Sequence, residues 1–175
     1  MRRRQLLRSG TLLAAPASLS LTACQGELPK QFESWRAAQE AVLELRFKEP
    51  RLQGSHWNLA QMLQHAAQSI EYSMQGFPEP KPAWFQATLG STAFAFFDAR
   101  GQMSHTLDEP IPGAPALDAE RSLKSAVQRL LDAMDAFAAF KGEFKPHFAY
   151  GKLDRNQYQR AHLMHLANHW QQLSA

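Results

Sequence analysis

Leu123-Lys124-Ser125-Ala126-Val127-Gln128-Arg129-Leu130-Leu131-Asp132-Ala133-Met134-Asp135-Ala136-Phe137 is the clearest helical seam in this 175-residue chain. Leu123, Val127, Leu130, Met134 and Phe137 alternate spacings of four and three residues, which places them on one face of an α-helix. The pattern predicts a helix from Asp118 to about Phe140, with Asp118 as N-cap and Gly142 as terminator. A helix with so regular an apolar stripe must bury it against other helices.

Working outward, four more segments read as helices. In Phe32 to about Phe47, Trp35, Ala38, Val42 and Leu45 recur at helical spacing, and Glu49-Pro50 closes the run. His56 to Met74 carries Trp57, Ala60, Leu63, Ala67, Ile70 and Met74 on one face, followed by Gly76 and a proline-rich stop over 77–82. Trp84 to about Arg100 reads as a further helix ended by Gly101, with Gly90-Ser91-Thr92 a point where it could break. The last helix starts at Asp154, its N-cap, and runs to about Leu173. Between them lies a long connection containing Asp108-Glu109-Pro110-Ile111-Pro112-Gly113-Ala114-Pro115, of the kind that forms either the edge of a site or a surface spacer. No segment alternates with the period of a strand. The expected architecture is all-α: an up-and-down four-helix bundle with an additional short helix and the long Pro-rich connection.

Residues 1–23 read as an export signal rather than as part of the fold. Arg2, Arg3, Arg4 and Arg8 precede a weakly apolar run, with no acid before Glu27. Leu21-Thr22-Ala23-Cys24 resembles a bacterial lipoprotein signal, which implies lipidation of Cys24 after cleavage, and Arg3-Arg4-Gln5-Leu6-Leu7-Arg8 resembles a twin-arginine export signal. The apolar run is too short and too interrupted for a membrane span. The expected organisation is therefore a signal at 1–23, a lipid-anchored linker at 24–31 and a helical domain at 32–175. The expected location is the bacterial cell envelope, facing the periplasm or the cell surface, with the membrane as partner through lipidated Cys24.

The signal also biases the charge balance. Of 19 lysines and arginines, four lie in it with no acid beside them, leaving 15 basic against 16 acidic residues. A near-neutral domain gives no reason to expect a nucleic-acid partner. Cys24 is the one cysteine, so no intrachain disulfide supports the fold and no cysteine metal cluster or haem attachment is available.

Chemistry concentrates near the C-terminus, in His162-Leu163-Met164-His165-Leu166-Ala167-Asn168-His169. Three of the seven histidines fall there, and at roughly 100° per residue they share one stripe of the helix. His165 and His169, at i and i+4, can reach one ion. The stripe lies about 90° from the apolar stripe of Leu163, Leu166, Trp170 and Leu173, which predicts imidazoles at the border of the buried face. One helix face rarely surrounds an ion, and His65 in the second helix is the main candidate for a third ligand. His56 near a helix start, and His105 and His147 in connections, have weaker cases, although His105 could enter a cleft mouth. His-Glu-x-x-His, Glu-x-x-His, Gly-x-Ser-x-Gly and phosphate-loop motifs are all absent.

Six further stretches belong together: Trp57-Asn58-Leu59-Ala60-Gln61-Met62-Leu63-Gln64-His65, Gly76-Phe77-Pro78, Met103-Ser104-His105, Pro110-Ile111-Pro112-Gly113-Ala114-Pro115, His147-Phe148-Ala149-Tyr150-Gly151-Lys152-Leu153 and His165-Leu166-Ala167-Asn168-His169. With them the chain resembles a DinB-related bacterial family of unknown function. The resemblance spans about residues 30–173. It implies a DinB-like four-helix bundle in which His65, His165 and His169 bind a divalent metal; His162 lies outside that motif, and His162 and His105 are left as candidate neighbours of the ligands.

Zinc, nickel, iron and copper all suit all-nitrogen ligation. Two functions follow as expectations. One is a metal-dependent hydrolase or transferase acting on a small molecule; the other is a non-catalytic metal- or ligand-binding module. A third, metal-free reading leaves the histidines as border residues of the core.

Overall fold

A computed structural model describes residues 25–174. The signal segment and Cys24 lie outside the described residues. The chain forms an all-α helical bundle built from α1 (Trp35–Glu44), α2 (Leu59–Gln75), α4 (Ser91–Arg100), α5 (Leu123–Ala139) and α6 (Arg155–Trp170). A single helical turn, α3 (Ala83–Phe85), leads through a π-helical segment (Gln86–Gly90) into α4. Among the described residues, no helix is long and apolar enough to cross a membrane.

The central seam lies where its spacing places it, since Val127, Leu130, Met134 and Phe137 are buried with Ala126 and Ala133. The helix starts later than expected, however. Ser122 is the N-cap, its side chain accepting from the Ser125 amide, whereas Asp118 belongs to the preceding connection. The reason is that Asp118 has a competing partner: its backbone N–H and C=O are both engaged by the side chain of Gln64 on α2, at 3.2 and 2.8 Å. The C-terminus is set by Phe140, which turns extended before Gly142 is reached.

α5 packs most extensively on α2. The edge of that contact carries a bidentate pair, with Arg129 donating to Glu71 at 3.0 and 2.7 Å. α1 is joined to α5 through Trp35, whose indole N–H donates to the Met134 carbonyl and whose ring stacks on Phe137. The first helical segment is interrupted: Phe32 closes a short 3₁₀ turn (Lys30–Phe32) and plugs the core against Trp170, and Ser34 then caps α1.

A capping box fixes the start of α2, with Asn58 and Gln61 each accepting from the other's amide. It lies inside the expected start, so His56 stays outside the helix. The polar residues of α2 have a second task. Asn58, Gln61, Gln64 and Gln68 donate to the carbonyls of Ala119, Leu117, Asp118 and Pro115. A proline-rich connection offers carbonyls but few amides, and this column of side-chain amides matches it.

The helix before Gly101 does not break at Gly90-Ser91-Thr92; the chain passes through as a π segment and continues. Gly90 is required there because a Cβ would lie 1.9 Å from the Ala149 carbonyl oxygen. α6 begins at Asp154 as anticipated, again with a capping box, closed by Gln157. It ends at Trp170, short of Leu173. Beyond it, Leu173–Ser174 (β2) pairs antiparallel with Arg51–Leu52 (β1), Leu52 opposite Leu173. This two-residue pairing had no period-two signal because it is too short to carry one.

Candidate metal centre

α6 is buried on almost all sides rather than along one stripe. Tyr158, Ala161, His162, Leu163, Met164, Leu166, Ala167, Asn168 and His169 are all covered. The histidines therefore do not sit at a solvated border. His162 and His169 are inside, and His165 is half-buried where it meets a cavity.

Three imidazoles from two helices converge. The Nε2 atom of His165 lies 3.2 Å from that of His65 and 3.0 Å from that of His169. The ligand atoms of all three lie within 4.8 Å of one another, close enough to hold one metal ion. Trp57 covers His65 at 5.0 Å between ring centroids. His105, from the connection, approaches His165 and His169 at 5.0 and 5.6 Å.

Electrostatics make this cluster unusual. Burial, with a contribution from His105, drives His65 down to about 3. Burial and then the neighbouring His65 and His105 take His169 to about 2, with Gln172 pulling the other way. His165 is held well below its ordinary value by burial and by the surrounding rings. All three are therefore neutral at pH 7, each with one N–H and one lone pair. Without a cation, the two short contacts of His165 Nε2, at 3.2 and 3.0 Å, are both met only if His65 and His169 carry their protons on Nε2 and share its one lone pair. The Nδ1 atoms of His65 and His169 are buried without partners.

A cation resolves this arrangement. Two nitrogens on a tetrahedral ion at about 2.0–2.1 Å are about 3.3 Å apart, and the observed separations are close to that. The donor set fits a borderline divalent ion: neutral imidazoles, no thiolate and no carboxylate in the cluster. His65, His165 and His169 are the residues that would hold it.

The other histidines separate clearly. His105 has its Nδ1 2.8 Å from the Thr106 carbonyl, so that nitrogen carries the proton and Nε2 keeps its lone pair. Its pKa is lowered because desolvation against the cluster outweighs the Thr106 carbonyl and Glu109. His162 does not join the three. Its ring stacks on Tyr158 and stands edge-on to Phe137, and burial takes it down to about 3. His56 is exposed, 3.9 Å from Asp108. His147, read from sequence as a residue of a connection, is buried and lines the same cavity as His65 and His165. The nearby signal in the sequence is Gly151, whose positive φ closes a tight loop through paired backbone hydrogen bonds with His147.

That cavity measures about 290 Å³. Its polar wall includes His65, His105 and His165, and Met103, Ile111 and Phe148 give it apolar surface. A small molecule would reach the three-histidine cluster from one side, with the Pro-rich connection over it.

Residues 27–175 match the family described as "Protein of unknown function (DUF1569)", and the chain belongs to that family. No curated protein and no solved structure matches it.

Proposed function

We propose that this chain is a DinB-like metalloprotein of the cell envelope, anchored through a lipidated Cys24, and that it is a metal-dependent hydrolase or transferase acting on a small molecule. The single observation that carries the metal is the convergence of three neutral, buried Nε2 atoms beside a cavity. Zinc, nickel, iron and copper are all compatible with that donor set. A divalent ion held there would supply Lewis acidity, polarising a carbonyl or acidifying a water or thiol.

The chain's own groups supply the remainder. His105, its proton fixed on Nδ1 by Thr106, offers an Nε2 lone pair beside the cluster. The apolar wall of Met103, Ile111 and Phe148 gives a small molecule apolar surface beside the cluster. Hydrolysis is placed ahead of thiol transfer because small-thiol cosubstrates are mainly cytosolic, whereas the signal at 1–23 points to export. A non-catalytic metal- or ligand-binding module is the second reading, favoured by the lack of a carboxylate in the histidine cluster.

The test is metal analysis of the purified mature protein after reloading, with about one equivalent expected. Retention of less than roughly a tenth of an equivalent would remove the metal centre. Turnover of ester, amide or thiol-transfer substrates that is abolished by chelation separates the enzyme from the binding module. Cys24→Ser tests the anchor, the expected outcome being transfer of the protein from the membrane to the soluble fraction.

A further inference from the structure

His147 occupies a short loop between α5 and α6 that is fastened on several sides. His147 and Gly151 exchange backbone hydrogen bonds at 2.8 and 3.1 Å. The Lys145 amide donates to Ser73 of α2, and the Phe148 carbonyl accepts from the Lys81 amide and from the Gln86 side chain. Ala149 rests on Gly90. The imidazole itself stacks on Tyr150, with 4.3 Å between centroids and 9° between planes, and touches Phe77 and Phe148.

This fastening fixes which nitrogen holds the proton. The backbone amides of Ala149 and Tyr150 both donate to Nδ1, each at 3.1 Å. A nitrogen that accepts two N–H groups carries none of its own, so the neutral ring has its proton on Nε2. The ring is neutral because burial, reinforced by His162 and His105, drives its pKa down to about 3. Among the described residues Nε2 has no acceptor, and it is not one of the atoms sealed without a partner in the core. The ring forms part of the cavity wall together with His65 and His165.

We propose that His147 is a fixed hydrogen-bond donor of the cavity, whose Nε2–H receives a carbonyl-type oxygen of a small, partly apolar ligand. The ligand class follows from what the ring can and cannot do. With Nδ1 fully engaged, His147 has no lone pair for an amine or hydroxyl donor, so it selects an acceptor. Being uncharged, it takes the oxygen of an ester or amide without a counter-ion, the Lys81 side chain on the same cavity wall offers a carboxylate its counter-charge, and Met103, Ile111 and Phe148 suit a short alkyl chain next to that oxygen. The proposal rests on the metal-centre reading only for what the ligand's other end meets.

The experiment is nitrogen-detected histidine NMR on the ¹⁵N-labelled mature protein, zinc-loaded and metal-free, titrated with butyrate, butyramide and butylamine. The expected result is an Nε2–H tautomer for His147 in both forms, with its Nε2 signal moved by butyrate or butyramide and not by butylamine. A response to both oxygen probes identifies a general carbonyl site, and a response to butyrate alone identifies a carboxylate site. His147→Gln, which retains an N–H near the same position, keeps affinity for the responding probe within about twofold, while His147→Phe weakens it about three- to tenfold. An Nδ1–H tautomer, an Nε2 signal unmoved by both oxygen probes, or unchanged affinity in a folded His147→Phe protein would each overturn the proposal. Should His147→Phe fail to fold, the tautomer and the probe response of the unaltered protein decide. Loss of zinc binding with a retained Nε2 response removes the metal centre and leaves the donor, whereas bound zinc with an Nδ1–H tautomer does the reverse.

Discussion

His65 and His165 stand 100 positions apart in the chain, yet their Nε2 atoms lie 3.2 Å from each other. α2 and α6 therefore place two neutral lone pairs where only a shared proton or a cation makes the contact favourable. His169, one turn beyond His165, completes the group at 3.0 Å. Removing any one imidazole reduces three donors to two. His65→Ala, His165→Ala and His169→Ala are each expected to weaken zinc affinity by at least about 100-fold, more than the loss of a group that merely supports a ligand. Chelator competition measures this, and His56→Ala, at the surface, is the control that should change nothing.

Metal binding at these three histidines would also be folding energy, because the unfolded chain has no preformed site. Zinc at 100 times its dissociation constant should add about 2.7 kcal/mol. For a domain of this size that corresponds to an upward shift in melting temperature of about 5–10 °C. Differential scanning fluorimetry with and without zinc, then with excess chelator, checks both the gain and its reversal. A melting temperature indifferent to zinc would count against the site.

Acid should unfold the metal-free protein early. His65, His147 and His162 have pKa values lowered to about 3, and His169 to about 2, all chiefly by burial. Above the unfolded value of about 6.5 both states are neutral, and the stability contributed is fully present. Below it the unfolded chain binds protons that the folded chain refuses, so stability falls with falling pH until the folded values are reached. Each ring can cost up to about 1.4 kcal/mol per pH unit in that window. Several rings together place the unfolding midpoint at about pH 4–5, given a total stability of about 5–15 kcal/mol. Circular dichroism against pH reads it directly.

Gly90→Ala tests the support of the His147 loop. Its new Cβ would lie 1.9 Å from the Ala149 carbonyl oxygen, a backbone atom that cannot swing aside. A loss of about 1–3 kcal/mol in denaturant unfolding is expected from overpacking. The displacement should also disturb His147, only two residues from Ala149, while leaving the nitrogens of His65, His165 and His169 in place.

The start of α5 gives a paired test. Ser122→Ala removes the side chain that accepts from Ser125 and should cost about 1 kcal/mol. Asp118→Ala should cost less, about 0.5 kcal/mol, because Gln64 holds the Asp118 backbone and the carboxylate accepts only from the exposed Glu120 amide, with Arg121 4.0 Å away. Urea unfolding of the two variants ranks them, and the reverse order would restore Asp118 as the cap.

The apolar period of 123–137 and the capping residue Asp154 act within a few positions of the chain, so the all-α class, the seam of α5 and the start of α6 could be read from the sequence. The i, i+4 relation of His165 and His169 is likewise local. Other features needed the third dimension. Whether His65 faces the α6 pair depends on how α2 and α6 are rotated in the bundle, and His105 reaches the cluster from a connection whose far end is tied to α2 by Asn58, Gln61, Gln64 and Gln68. The complete burial of His162, the displacement of the α5 cap from Asp118 to Ser122 and the proton position on His147 are also set by neighbours distant in sequence. A helix period records which face of a segment is apolar, but burial, pKa and tautomer are properties of what packs against that face. Only the assembled bundle determines those.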